Sequence, residues 1–168
     1  MHPLICKIGP FPVYSYGMMM ALAVLICSFL LARDARNIGL SDEWVWDFVF
    51  SIMLGGIVGA RLLFGWLNFR YFLDDPLEIF MLQHGGLSFQ GGLLGGALGG
   101  MVFVKKKKLS YLKTADLLAP YLALGHAIGR IGCFLNGCCY GKHWDHGIFF
   151  PVHQDTLHPT QLYASAGL

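Results

Sequence analysis

An all-α fold, built as a polytopic bundle of transmembrane helices, is predicted from three observations. The chain of 168 residues is 55% hydrophobic and only 13% charged, about half the charged share of an ordinary soluble domain. Its mean hydropathy is +0.55. Four apolar runs each have roughly the 17 to 25 residues that a bilayer crossing needs. Lys and Arg collect in alternate connections between those runs, the asymmetry that orients membrane helices. A segment in lipid must satisfy its own backbone, which makes these runs helices.

The first span runs from about Ser15 to Leu31 and the second from about Trp44 to Leu67. The third covers about Gly86 to Val104 and the fourth about Ala115 to Leu135. His158 to Leu168 reads as the start of a fifth helix. Residues 1–168 therefore read as one integral-membrane domain with four complete spans. Ahead of the first span lie Lys7 and a turn-like GPFP, with no small-residue cleavage site. No cleaved signal peptide is expected, and the first run stays as an anchor.

Arg33, Arg36, Lys105, Lys106, Lys107, Lys108 and Lys113 lie on one side, against Lys7, Arg70 and Lys142 on the other. The positive-inside rule then puts the N-terminus outside, together with the Asn68 to Gly85 and Asn136 to Leu157 loops. The lysine run reads as a topology signal in contact with membrane lipid headgroups. A net charge of +2, without a basic stripe interleaved with aromatics, excludes a nucleic-acid partner. Gly91, Gly95 and Gly99 form one helical row, and Gly92, Gly96 and Gly100 a second. Gly55 and Gly59 repeat the spacing in span two, so these rows predict close helix–helix contact. Gly91 and Gly92 are open to a second reading, because polar residues neighbour them.

The stretch Gly125 to Gly141, GHAIGRIGCFLNGCCYG, carries the densest chemistry. Arg130 stands among Ile128, Gly129, Ile131 and Gly132. An arginine in an apolar span usually faces a bundle interior or a wet cavity and marks function. His126, Arg130, Cys133 and Gly137 share one helical face. Helical rise puts Arg61 and Arg130 roughly 8 to 9 Å beneath the outer boundary. Gln90 lies near the outer start of span three, Tyr16 opens span one, and Asn136 is just beyond span four. Such a level is where an anionic lipid headgroup meets the acyl region. Arg130 suits phosphate because its guanidinium is a planar, permanently charged fork. Arg61 also fits a plain snorkelling role.

The cysteines are Cys6, Cys27, Cys133, Cys138 and Cys139. Their number is odd and no C-x-x-C occurs, which makes a poor disulfide framework. With His2, His84, His143, His146, His153 and His158 on the outer side, Cys133, Cys138 and Cys139 suggest a metal site, yet the spacings fit no zinc template. No metal is expected.

The segment GRIGCFLNGCCYG resembles the signature of bacterial prolipoprotein diacylglyceryl transferases, roughly G-R-(I/L)-G-N-F-(I/L)-N-x-E-x-x-G. HGGLSFQGGLLGG resembles a second block of that family and HPTQLY a third. The match runs from about Ile8 to the last residue. The resemblance implies about seven spans in the full fold, so C-terminal helices are expected to be missing here. It implies transfer of a diacylglyceryl group from phosphatidylglycerol to the lipobox cysteine in the signal-peptide region of a prolipoprotein. That is the first step of lipoprotein maturation, at the bacterial inner membrane and with no cofactor.

Carried over by position, Tyr16 matches the tyrosine of the first helix and Arg61 the arginine of the second. Arg130, Asn136 and Gly141 match the signature. The expected catalytic set is Arg130, Tyr16, Gln90 and Asn136. Arg130, Arg61, Cys133, Gly141 and His84 are expected to bind substrate. Four positions depart. Gln90 stands where many members have histidine, Cys133 replaces an asparagine, and Cys138 and Ala164 replace glutamates. Gln90 cannot take a proton at neutral pH, which favours electrostatic activation over a dedicated base. Two rival classes are a membrane metal binder or transporter, using the outer His/Cys cluster, and a membrane thiol oxidoreductase using Cys138 and Cys139.

Overall fold

A computed structural model describes residues 4–8, 11–69 and 86–168. His84 and most of the Asn68 to Gly85 loop lie outside the described residues. Strands β1 (Leu4–Ile8) and β2 (Phe11–Tyr14) pair antiparallel. Helices α1 (Ser15–Asn37), α2 (Asp42–Leu67), α3 (Phe89–Lys106) and α4 (Tyr111–Asn136) follow. Strands β3 (His143–Phe150) and β4 (Asp155–Leu157) form a second antiparallel hairpin, and α5 (Thr160–Ala166) closes the described chain.

The all-α class holds for the membrane part. The first, second and fourth predicted spans fall inside helices, and the third, expected from Gly86, begins three residues ahead of its helix. Helices α1, α2 and α4 are long and apolar enough to cross a membrane. Helix α3 has 18 residues, about 27 Å at the helical rise. With six glycines and a terminal Lys105 and Lys106, it is not one of the three helices long and apolar enough to cross. Large apolar side chains point outward, among them Leu62, Trp66, Leu93, Leu94 and Leu122. Such exposure suits a surface solvated by lipid tails. The two hairpins are additions that the apolar pattern did not announce.

The chain falls into two compact units, Met1–Asp34 with Leu117–Leu168, and Ala35–Asp116. In the second unit, α2 and α3 pack antiparallel through their glycines. A Cβ placed on Gly55 would lie 2.5 Å from Gly95 O, and one on Gly99 would lie 2.5 Å from Ser51 O. Backbone therefore meets backbone along the Gly91, Gly95, Gly99 row, as the spacing predicts, and Gly91 belongs to it. Ser51 Oγ adds a hydrogen bond to Gly99 O at 3.0 Å. The Gly92, Gly96, Gly100 row sits more loosely, with Ile52 and Ala60 side chains at 3.3 Å or more. Trp44, Phe48 and Phe103 close one end of this pair, Trp44 stacking on Phe48 at 5.1 Å. Ser41 caps α2 by accepting from Trp44 N at 3.2 Å, and Asp42 and Glu43 complement the helix dipole.

In the first unit, α1 and α4 run antiparallel. Gly132 faces Met19 and Tyr16, Gly129 faces Met20, and Gly125 faces Cys27. Near the other end Tyr121 donates its hydroxyl to Asp34. Helix α5 docks on α4 through Ser165 Oγ, which donates to Ala127 O at 3.0 Å.

Three helices stop in the same way. After α1, Gly39 N bonds Arg36 O and Leu40 N bonds Ala35 O. After α3, Lys108 N bonds Lys105 O and Leu109 N bonds Val104 O. After α4, Gly137 N bonds Phe134 O and Cys138 N bonds Cys133 O. Each is a Schellman stop with a left-handed residue at its pivot, Gly39, Lys108 and Gly137 respectively.

Candidate functional site

The site is built around that third stop. A Schellman turn brings together the side chains on either side of its longer hydrogen bond. After α1 those residues are Ala35 and Leu40, and after α3 they are Val104 and Leu109. After α4 they are Cys133 and Cys138. Cys138 Sγ donates to Cys133 O at 3.7 Å. The next residue, Cys139, also takes a left-handed backbone with φ 61°, uncommon for a residue with a side chain. The thiol sulfurs of Cys133, Cys138 and Cys139 all lie within 4.8 Å of one another.

The turn is held from the other side by α5. Gln161 Nε2 donates to Cys138 O at 2.6 Å, and Thr160 Oγ1 donates to Cys139 O at 2.9 Å. Gly141 N bonds His158 O, and His158 N bonds Lys142 O. Gln161 is fully buried. The HPTQLY segment thus acts as a clamp on the cysteine turn, a role that sequence reading missed. In the sequence the motif stands out only by its resemblance.

Arg130 stands one helical turn before Cys133 and is half-buried. Among the described residues its Nε is buried without a hydrogen-bond partner. Tyr16 lies against Gly132 and within electrostatic reach of Arg130, Cys133, Cys138 and Cys139. The fold therefore brings Tyr16, Arg130 and Cys133 together. Asn136 is the half-buried last residue of α4. Gly141 has Thr160 Cγ2 at 2.7 Å and His158 Cβ at 2.8 Å from where a Cβ would be. Packing alone accounts for glycine there. His126 is exposed.

Arg61 and Gln90 belong to the other unit. Arg61 is only 7% exposed, and its Nη1 donates to Gly86 O at 2.9 Å. Its guanidinium also lies 5.9 Å from the Phe64 ring centre. Gly86, with φ +77°, fits between these two side chains because a Cβ would meet both. Arg61 thereby fastens the entry to α3 instead of snorkelling. Ser88 continues the fastening, its N–H bonding Ala60 O at 3.2 Å. Gln90 is exposed in the first turn of α3, where its Oε1 accepts from Ser88 Oγ at 3.2 Å.

The β3–β4 hairpin carries a charged latch. His143 Nδ1 lies 2.7 Å from Asp155 Oδ1, and His143 Nε2 lies 3.0 Å from Asp145 Oδ1. The bond to Asp155, then that to Asp145, raises the His143 pKa above its ordinary 6.5. The bond from His143, then that from Thr156 N, lowers Asp155 below its ordinary 3.8. A raised histidine stabilises fully below its unfolded value and loses that as pH climbs through its folded one. A lowered aspartate stabilises above its unfolded value and loses that as pH falls through its folded one. Protection of the hairpin amides, measured as exchange relative to the intrinsic rate at each pH, is therefore expected to be greatest between the two ordinary values. Asp155→Asn should flatten the profile, and an unchanged profile would discount the latch. The pair is exposed, so the effect is small and salt-sensitive.

Fold and site together define a polytopic membrane protein with a guanidinium and three thiols gathered at the end of one spanning helix. The family described as Prolipoprotein diacylglyceryl transferase matches residues 3–168, and the chain belongs to that family. It is 34% identical to the phosphatidylglycerol–prolipoprotein diacylglyceryl transferase of Clostridium tetani, over 98% of this chain and 69% of that one. It is 37% identical to the Geobacter sulfurreducens protein of the same name, over 96% of this chain and 64% of the relative. For the Fusobacterium nucleatum protein of that name the figures are 38%, 84% and 49%. The chain thus spans about half to two thirds of the length of these relatives.

Proposed function

We propose that the protein transfers the diacylglyceryl group of phosphatidylglycerol to the lipobox cysteine thiol of a prolipoprotein. The observation that carries this reading is Arg130, a half-buried cation whose Nε has no protein acceptor among the described residues. Family membership and the relatives' names support the same chemistry. The acceptor sulfur attacks the glyceryl carbon, a C–S bond forms, and the C–O bond to phosphate breaks. The phosphate oxygen leaves with the electron pair, the thiol proton passes to solvent water, and glycerol phosphate is released. Arg130 binds the phosphate and stabilises the charge that grows on it. The Tyr16 hydroxyl and the Asn136 amide are hydrogen-bonding partners for the same headgroup. Gln90 orients and does not accept a proton. Arg61 and Cys133 are proposed to shape the binding surface, with Arg61 acting through the α3 entry that it fastens. His84 and Gly141 are proposed as substrate contacts on the resemblance.

The full-length protein in detergent, given phosphatidylglycerol and a lipobox peptide, should release glycerol phosphate and yield a thioether-linked peptide. A well-folded preparation that releases none would reject the reading. The site is proposed to face outward at the bacterial inner membrane, on the argument that Lys and Arg gather at the other helix ends. A reporter fused after Lys108 should be cytoplasmic and one fused between Trp144 and Gly147 external. The reverse pattern would overturn the orientation.

A further inference from the structure

We propose that Cys133, Cys138 and Cys139 form a trithiolate site for one soft divalent metal ion, of the zinc class, with a fourth coordination position left open. The inference goes beyond the transfer reaction and does not depend on it. Sequence spacing argued against a metal, because C-x-x-x-x-C-C matches no zinc template. The fold supplies what the spacing lacks. The Schellman stop turns Cys138 back onto Cys133, and the left-handed backbone at Cys139 brings the third sulfur to the same place.

The three sulfurs lie within 4.8 Å of one another. Tetrahedral zinc, with bonds of about 2.3 Å to sulfur, needs sulfurs about 3.8 Å apart. Side-chain rotations that close the gap by about 1 Å complete the ligand set. The backbone beneath is already fixed, since Gln161 and Thr160 hold the carbonyls of Cys138 and Cys139. A second observation concerns Gln161. Its side chain is fully buried, and among the described residues its Oε1 has no hydrogen-bond partner. That leaves a polar acceptor beside the turn, of the kind a metal-bound water requires.

The donor set selects the ion. Three sulfurs favour zinc and its soft neighbours over magnesium or calcium, which take oxygen. Zinc with three thiolates carries one net negative charge, and Arg130 stands one turn away along the helix. Three protein ligands and one open position make a reactive rather than a closed zinc site. Water or a further thiol can occupy that position, and a coordinated thiol is held deprotonated.

The test uses the full-length protein, purified in detergent under reductant and stripped of metal with a chelator. Titration with zinc, followed by elemental analysis, should give one equivalent per chain. Cobalt(II) in its place should give a sulfur-to-metal charge-transfer band. Cys139→Ser, at an exposed position that leaves the fold intact, should weaken zinc binding about 100-fold or more, since even changes to groups that merely hydrogen-bond a metal ligand cost about 10 to 100-fold. Cys133→Ser should do the same. Cys27→Ser, whose thiol bonds Tyr121 O on another helix face, should bind as the parent does. Reduced protein with well under one equivalent of zinc would overturn the site, and so would Cys139→Ser binding with parental affinity. Loss of transfer activity in any variant bears on the previous section and leaves the metal count unaffected.

Discussion

Arg130→Ala in the full-length protein is expected to cut glycerol phosphate release by about 10² to 10³-fold, or about 3 to 4 kcal/mol of transition-state stabilisation. The guanidinium sits in an apolar stretch of α4, half-buried, with its Nε lacking a hydrogen-bond partner among the described residues. A cation so placed is poorly solvated until an anion meets it. The phosphate of the leaving group gains charge as the C–O bond breaks, so the contact is worth more in the transition state than in the bound lipid. Arg130→Lys should fail almost as badly, because an ammonium is a point charge and does not reproduce the planar fork. Release is followed with phosphatidylglycerol and a lipobox peptide, beside a check of folding. Near-normal release from well-folded Arg130→Ala would remove Arg130 from the chemistry.

Much of this arrangement was legible in the sequence, for physical reasons that differ from part to part. The spans were legible because lipid imposes one length and one composition on a crossing helix. The Gly91, Gly95, Gly99 row was legible because a four-residue repeat lines one helix face. Arg61 was half-read. Its depth in the span was visible, but its bond to Gly86 O crosses a 25-residue separation that no local pattern encodes. The β3–β4 hairpin escaped because HWDHGIFF has neither clean alternation nor a two-residue turn signal. It folds with a bulge between His143 and Ile148, where Gly147 leaves no room for a Cβ against Leu157 O. The cysteine cluster is not visible in its linear spacing. A helix ending at Asn136 before a left-handed Gly137 dictates that Cys133 and Cys138 meet, and that rule was open to sequence reasoning. The clamp by Thr160 and Gln161 was not, since it joins residues 21 and 23 positions apart.

Gly95→Ala and Gly92→Ala, three residues apart on α3, are expected to move stability in opposite directions. A methyl group on Gly95 would fall inside the van der Waals surface of Gly55 O and 2.8 Å from Gly59 Cα. Both obstacles are backbone, so no side chain can rotate away and the helices must separate. Separation also loosens the Gly91 and Gly99 contacts that share the row, and stretches the Ser51 bond to Gly99 O. Overpacking costs about 1 to 3 kcal/mol, and a backbone clash belongs at the upper end. Gly92 faces the Ala60 side chain at 3.6 Å and Gly56 O at 3.7 Å, which is ordinary contact. Alanine there keeps the packing and gains about 0.5 to 1 kcal/mol from the lower entropy of the unfolded chain. The two variants should therefore differ by about 3 to 4 kcal/mol in unfolding free energy. Unfolding in increasing sodium dodecyl sulfate, followed by circular dichroism, measures the difference. Equal midpoints would mean that the Gly95 row does not set the distance between α2 and α3.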